Sequence, residues 1–260
     1  MTRKITTFIA IVGYVALLLP LLLLVLFSFN ASRSGARWDG FTLDWYRRLL
    51  QRSDLLIALR TSLVVGTTAT ILSTAIGTLA ALALGRGSRR VARAAESLLM
   101  LPIVTPEVIA GISLLILFSA AGIRLGLASV IIAHTTFCLP FTIMVVSARL
   151  RGMDRSLEDA ALTLGADELT AFRRITIPLL LPGVVAAALL AFTLSFDDFV
   201  ITFFTARPGT STLPLVIYGM VRRTVEPTVN ALSALLVIGT TLLLLAAQRW
   251  LRADVATGGA

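Results

Sequence analysis

The chain has 260 residues, 57% of them hydrophobic and 14% charged, with a mean hydropathy of +0.92. That composition excludes an ordinary soluble domain, because the excess apolar surface has to face lipid. The net charge of +9 then fits Arg-rich loops beside a membrane better than a nucleic-acid partner.

A helix needs about 20 apolar residues to cross the hydrocarbon core, and six stretches qualify along the sequence. The first, about Ile5–Phe29, follows Arg3 and Lys4 as a signal peptide would. It is roughly twice as long as a signal peptide's apolar region and lacks a clean small-x-small cleavage site, so it reads as a retained transmembrane helix. The loop Asn30–Asp54 carries Trp38, Trp45 and Tyr46. Aromatics near span ends mark the membrane interface, which predicts a short helix lying on the outer surface rather than a binding element. The second span is about Leu55–Leu84, followed by the basic loop Gly85–Arg93.

The third span is about Ile103–Ala121, after Pro102. Thr105-Pro106-Glu107 reads as a helix start, with Thr as cap, Pro first and Glu complementing the dipole. A place for Glu107 in a substrate pathway is the alternative. The fourth span, about Leu127–Ala148, contains His134 and Cys138, the only His and Cys in the chain. His134 fits a satisfied buried residue better than a proton relay. The fifth, about Gly183–Phe204, is interrupted by Asp197 and Asp198; the sixth is about Val229–Trp250.

An even number of spans puts both termini on one side. With the termini cytoplasmic, 13 basic residues fall on the cytoplasmic side and 10 opposite, Arg33 and Arg155 among those counted. The positive-inside rule favours that orientation. No internal repeat divides the sequence, so residues 1–260 read as one all-α membrane domain. One His and one Cys supply neither a disulfide nor a His/Cys metal cluster, and they do not easily supply an intramembrane enzyme's nucleophile–base pair. There is no G-x-x-x-x-G-K-[ST] loop to bind ATP.

The most informative stretch is a polar insert within 149–182. Ser156 with Asp159 suggests a capping-box start. Ala160, Ala161, Leu162 and Leu164 support a short helix, and Gly165 falls where a left-handed residue would end it. Asp167 can open a second helix with Leu169, Phe172 and Ile175 on one face, stopped by Pro178 and Pro182. An amphipathic hairpin resting on the bilayer accounts for the pattern; so does a docking site for a soluble partner.

Asp159-Ala160-Ala161, Leu164-Gly165-Ala166, Phe172, Ile175 and Ile177-Pro178 resemble the EAA loop of ABC importer permeases. Asp159 stands where that family usually has Glu, with Glu158 just before it, and Ile177 replaces a Leu. The likeness extends over Phe41–Leu50, Leu101–Leu115, Leu194–Phe204, Ser211–Arg223 and Asn230–Ser233. There the chain resembles second permeases of spermidine/putrescine-type importers; relatives of that kind also carry aminophosphonates and other small solutes.

The resemblance implies a type I ABC importer permease fold of six spans in a bacterial inner membrane. It also implies a heterodimer with a second permease, two ATPase subunits that use ATP and Mg, and a soluble extracytoplasmic binding protein. The segment Glu158–Ala166 with Phe172, Ile175 and Pro178 would be the coupling loop. No cofactor, metal or catalytic residue is expected in the chain itself. A stand-alone channel or secondary transporter is the competing class, and the docking insert argues against it.

Within the spans, a carboxylate costs roughly 2.5–3.5 kcal/mol on insertion scales, so Asp197 and Asp198 should face a cavity or a partner. An acidic lining suits a polyamine cation, and Phe196 and Phe199 could add cation–π contacts. Alternatively one Asp pairs with an Arg of a partner, or caps a broken helix. Tyr218 and Arg222, before the sixth span, are candidates to meet the binding protein.

Overall fold

The computed structural model describes residues 2–32, 37–154, 156–223 and 227–257. Arg33 and Arg155, counted in the charge tally, lie outside them. Among the described residues the protein is helical, the one β feature being an isolated antiparallel bridge between Asn30 and Phe41. The chain divides into two compact units, 1–57 with 216–245 and 58–215 with 246–260.

The first unit contains α1 (Thr2–Phe27). Phe8, Leu17 and Leu22 are among the many large apolar residues exposed along it, as befits a helix apolar all round and meant for lipid. The short helix expected in this loop follows as α2 (Asp44–Gln51). It is anchored by Trp45, whose indole N–H donates to the Asn30 carbonyl at 2.7 Å. Phe29 stacks on Phe41 with centroids 5.4 Å apart, and the Ser28 and Tyr46 hydroxyls meet at 2.7 Å. The Asn30 side chain, fully buried, accepts from the Ser32 and Asp39 amides and donates to the Arg37 carbonyl. The aromatics thus pack a tight loop.

The second unit is built on α3 (Ser53–Arg86, from Ala58 on), α6 (Leu127–Arg151) and α9 (Ile177–Asp197). Small residues let these helices approach closely. A Cβ on Gly66 would touch the Phe192 ring at 3.4 Å, and one on Gly77 would strike the Thr142 side chain. Ala81, Ile143, Val146, Leu180 and Ala187 form the buried apolar cluster between them.

The expected third span is two helices, α4 (Arg89–Val104) and α5 (Glu107–Ala120), bent by 104°. Pro106 holds an extended backbone (ψ 132°) at the corner. Thr105 therefore does not cap α5. Its hydroxyl turns back to the Leu101 carbonyl at 2.6 Å, ending α4 instead. The fifth span is likewise broken: α9 stops at Asp197, Asp198 is extended (ψ 127°), and α10 (Val200–Thr205) follows. α11 (Leu213–Arg223) and α12 (Pro227–Thr257) complete the chain.

Among the described residues, four helices are long and apolar enough to span a bilayer, and the bent pair makes a fifth if it crosses as one. The described apolar stretch of α12, Pro227–Leu242, is shorter than that.

Candidate functional site

Two places in the second unit concentrate polar chemistry. The first is the break between α9 and α10. Asp198 is buried, and its carboxylate accepts the Ile201 and Thr202 amides at 3.1 and 2.9 Å. It thereby caps α10 in the way an N-terminal Asp does, replacing donors the helix leaves unpaired. The Thr202 hydroxyl adds a bond at 3.2 Å, and His134 Nε2 on α6 lies 3.2 Å from the same oxygen. His134 is 1% exposed; its Nδ1 meets the Ser195 hydroxyl at 2.7 Å and its Nε2 the Thr202 hydroxyl at 2.9 Å. The satisfied-histidine expectation describes this residue, and the helix-cap alternative describes Asp198.

Asp197, one residue earlier, is exposed at the end of α9. The two carboxylates thus divide: one is turned inward to hold the break, the other is presented outward. Phe196 stacks on Phe192 at 5.4 Å and Phe199 tilts against Phe203 at 5.6 Å, both half-buried. Glu107 sits exposed on the first turn of α5. That helix packs along α10 where Gly111 leaves room for Phe204, a Cβ there falling 2.6 Å from the ring. Tyr218 and Arg222 are exposed on α11 in the other unit.

The second place is the insert. Helix α7 (Ser156–Thr163) ends in a Schellman turn: the Gly165 amide donates to Leu162 O and the Ala166 amide to Ala161 O, both at 3.0 Å,. Gly165 has φ +92°, and the Leu164 side chain is 88% exposed at the tip. The cap at the other end is not the expected Ser156–Asp159 box. Asp154 Oδ1 accepts the Ser156 amide at 2.9 Å, and Ser156 is already helical. An Asp two residues upstream of a free amide makes an Asx turn, a signal readable in Asp154-x-Ser156. That bond lowers the Asp154 pKa, and a hydrogen bond from the Thr170 hydroxyl lowers that of Asp167, which precedes α8 (Glu168–Ala171).

Pro178 and Pro182 do not stop the second helix. α8 runs through a wide turn, Phe172–Thr176, in which the Ile177 amide reaches back five residues to Phe172 O, and continues directly as α9. The wide turn accommodates Pro178 in the first positions of α9, where its missing N–H costs little. Beyond it, Arg149 Nε donates to the Leu179 carbonyl at 2.9 Å, and its stem lies against Gly183, where a Cβ would come within 2.5 Å.

Arg86 at the end of α3 lies 3.5 Å from Glu158 and 5.3 Å from the Phe172 ring centroid, tying the hairpin to the helical body. Sequence reasoning counted Arg86 only as a charge. Glu158 and Phe172 are half-buried, while Asp159, Ala160 and Pro178 are exposed. Ala161, Ala166 and Ile175 are half-buried. A cleft of about 1310 Å³ opens beside the hairpin, lined by Arg86, Glu158, Asp159 and Ile175, with Arg151 paired to Glu96 at 2.5 Å across it.

Helices long and apolar enough for lipid, two sharp helix breaks and an ordered polar hairpin, among the described residues, define an integral membrane protein. It belongs to the binding-protein-dependent transport system inner membrane component family, whose model matches residues 73–257. It is 41% identical over 235 residues to the spermidine/putrescine transport system permease protein PotC of Escherichia coli (strain K12), covering 90% of this chain and 89% of that one. The putrescine transport system permease protein PotI of the same strain is 39% identical over 235 residues, covering 88% and 84%. Among solved structures, a bacterial ABC transporter involved in the import of the acidic polysaccharide alginate matches with a TM-score of 0.73 over 97% of this chain and 96% of that one. At 15% identity that likeness speaks for the fold alone. The chain is an integral-membrane permease of the ABC importer class, a non-catalytic component of its machine.

Proposed function

We propose that this chain is one of two different permeases in an ATP-driven, binding-protein-dependent importer of polyamines such as spermidine and putrescine. The observation that carries this reading is the kinship with two polyamine permeases over nearly the whole chain, insert and helix break included. All six spans act as one permease domain in a bacterial inner membrane, with both termini cytoplasmic. The Schellman turn presents Leu164 to one of two ATPase subunits, with Asp159 as the outward acid of the hairpin. ATP and Mg are used there and not in this chain. Tyr218 and Arg222 meet the soluble binding protein.

In the pathway, Asp197 offers a carboxylate to the cationic amine, and Phe196 and Phe199 offer ring faces beside it. Glu107 supplies further negative charge. ATP-driven closure of the ATPases moves the hairpin and opens the break outward, as rigid-body gating about a midplane site.

The test has two arms. The tagged chain, expressed with its partner genes, is extracted in mild detergent, and an ATPase and a second permease should co-purify. Cells lacking other polyamine importers should take up radiolabelled putrescine and spermidine only when the set is present. Extraction of the chain alone, or uptake of an aminophosphonate in place of polyamines, overturns the reading.

A further inference from the structure

The helix break has a feature that neither capping nor substrate contact requires. His134 does not merely neighbour Asp198; it bridges the two sides of the discontinuity. Nδ1 reaches Ser195 on the last turns of α9, and Nε2 reaches both Thr202 on α10 and the Asp198 carboxylate between them.

Hydrogen-bond chemistry assigns the directions, because the Asp198 carboxylate acts only as an acceptor. The Thr202 hydroxyl spends its hydrogen on Asp198 Oδ2, so its oxygen receives the Nε2 hydrogen,. Nε2 is therefore a donor, and Nδ1 is left to pair with the Ser195 hydroxyl. A second bond fixes the far end of α10 to the same helix, with Ser129 Oγ of α6 donating to the Thr205 carbonyl at 2.8 Å. Phe118, Ala133 and Ile201 pack as a buried apolar cluster at the same level. α10 is thus clamped to α6 at both ends, while α9 is joined to α10 through Asp198, Phe199 and the imidazole.

We propose that His134 is a positioning residue for transport: it sets the angle and register of the α9–α10 break, and through the break the direction in which Asp197 and Phe196 are presented. This deepens, and for its transport arm rests on, the importer reading above. A histidine suits the task because a flat ring with nitrogens on opposite edges reaches two hydroxyls and a carboxylate at once. Leu at this position fills similar space but bridges nothing. Gln keeps a donor near Nε2.

The test uses the full importer in lipid nanodiscs, with hydrogen–deuterium exchange followed over peptides covering 195–206. In H134L, exchange of the amides capped by Asp198 should rise by roughly tenfold or more, the scale of a lost bond to a buried charge. H134Q should return most of the protection, and the rest of the chain should be unchanged. The Vmax of radiolabelled putrescine uptake should fall in H134L, recover in H134Q, and leave the apparent KM for the loaded binding protein unaltered.

If H134L loses protection everywhere, it has unfolded, and S195A decides. Faster exchange confined to 195–206 with reduced Vmax supports the bridge; wild-type exchange overturns it. A local rise in exchange with wild-type Vmax also overturns it. Exchange needs no substrate, so failure of the wild type to carry putrescine would reject the polyamine reading alone.

Discussion

Gly165 offers the sharpest test of how the hairpin works. Its φ of +92° lies in the region that L side chains rarely adopt, yet a Cβ placed there would meet nothing within 4 Å. The site is thus demanding in backbone and permissive in space. Ala at a left-handed position costs roughly 1–2 kcal/mol. The entropic gain of about 0.4–1 kcal/mol that a Gly→Ala change brings at compatible positions offsets only part of a left-handed mismatch. A net loss on the order of 1 kcal/mol lowers the population of the closed turn by roughly fivefold.

Asn is larger than Ala but several-fold enriched in the left-handed region, so it should weaken the turn by about twofold or less. Gly165→Ala and Gly165→Asn can be compared in the reconstituted importer, by titrating the soluble ATPase onto permease nanodiscs and by measuring uptake. Ala should bind several-fold more weakly and Asn close to wild type. If Asn is as poor as Ala, or poorer, the glycine is needed for room against a partner and the backbone argument is wrong.

Other perturbations separate the roles of neighbouring residues. Asp198→Asn should lower thermal stability in detergent, since a buried cap typically contributes about 1 kcal/mol, whereas Asp197→Asn should leave the melting temperature unchanged and reduce polyamine uptake; the opposite pattern would exchange their roles. Gly183→Leu should displace the Arg149 stem, break its bond to the Leu179 carbonyl and destabilise the α6–α9 contact by roughly 1–3 kcal/mol. Wild-type melting of that variant would show that Arg149 moves aside freely. Asp154 and Asp167 hold lowered pKa values through hydrogen bonds to their ionised forms. Their support of the hairpin is therefore complete above the usual carboxylate value of about 3.9 and fades only as pH falls through the lower folded values. Amide exchange in 156–170, corrected for intrinsic rate, should be flat from pH 7 to pH 5 and rise below pH 4; a rise already near pH 6 would implicate another group.

What the sequence made legible follows from how local each signal is. The left-handed glycine, the short helix before it and the first, second and fourth apolar runs are decided by local signals, and the structure has a helix or turn of the expected kind at each. The proline stops were misjudged because the Phe172–Thr176 turn widens to accept Pro178, and nothing in Phe172-Arg173-Arg174-Ile175-Thr176 announces a wide turn. The third span fails for a related reason: Thr105-Pro106-Glu107 is a good helix start by composition, but which side of the corner Thr105 serves depends on the 104° bend.

The carboxylate pair divides the two kinds of information most clearly. Hydropathy alone shows that Asp197 and Asp198 cannot both face lipid, and it even admits a helix cap. Choosing Asp198 requires His134, Ser195 and Thr202, which lie up to 68 residues apart in sequence and meet only once α6 and α9 are packed. A break in a membrane helix strands backbone donors in an apolar medium, so it persists only where side chains replace the lost partners. Asp198 satisfies two amides, His134 satisfies Asp198, and the adjoining Asp197 is left outward with no part in the repair. The same discontinuity that needs one buried acid for its own stability thereby leaves the second exposed at the end of α9.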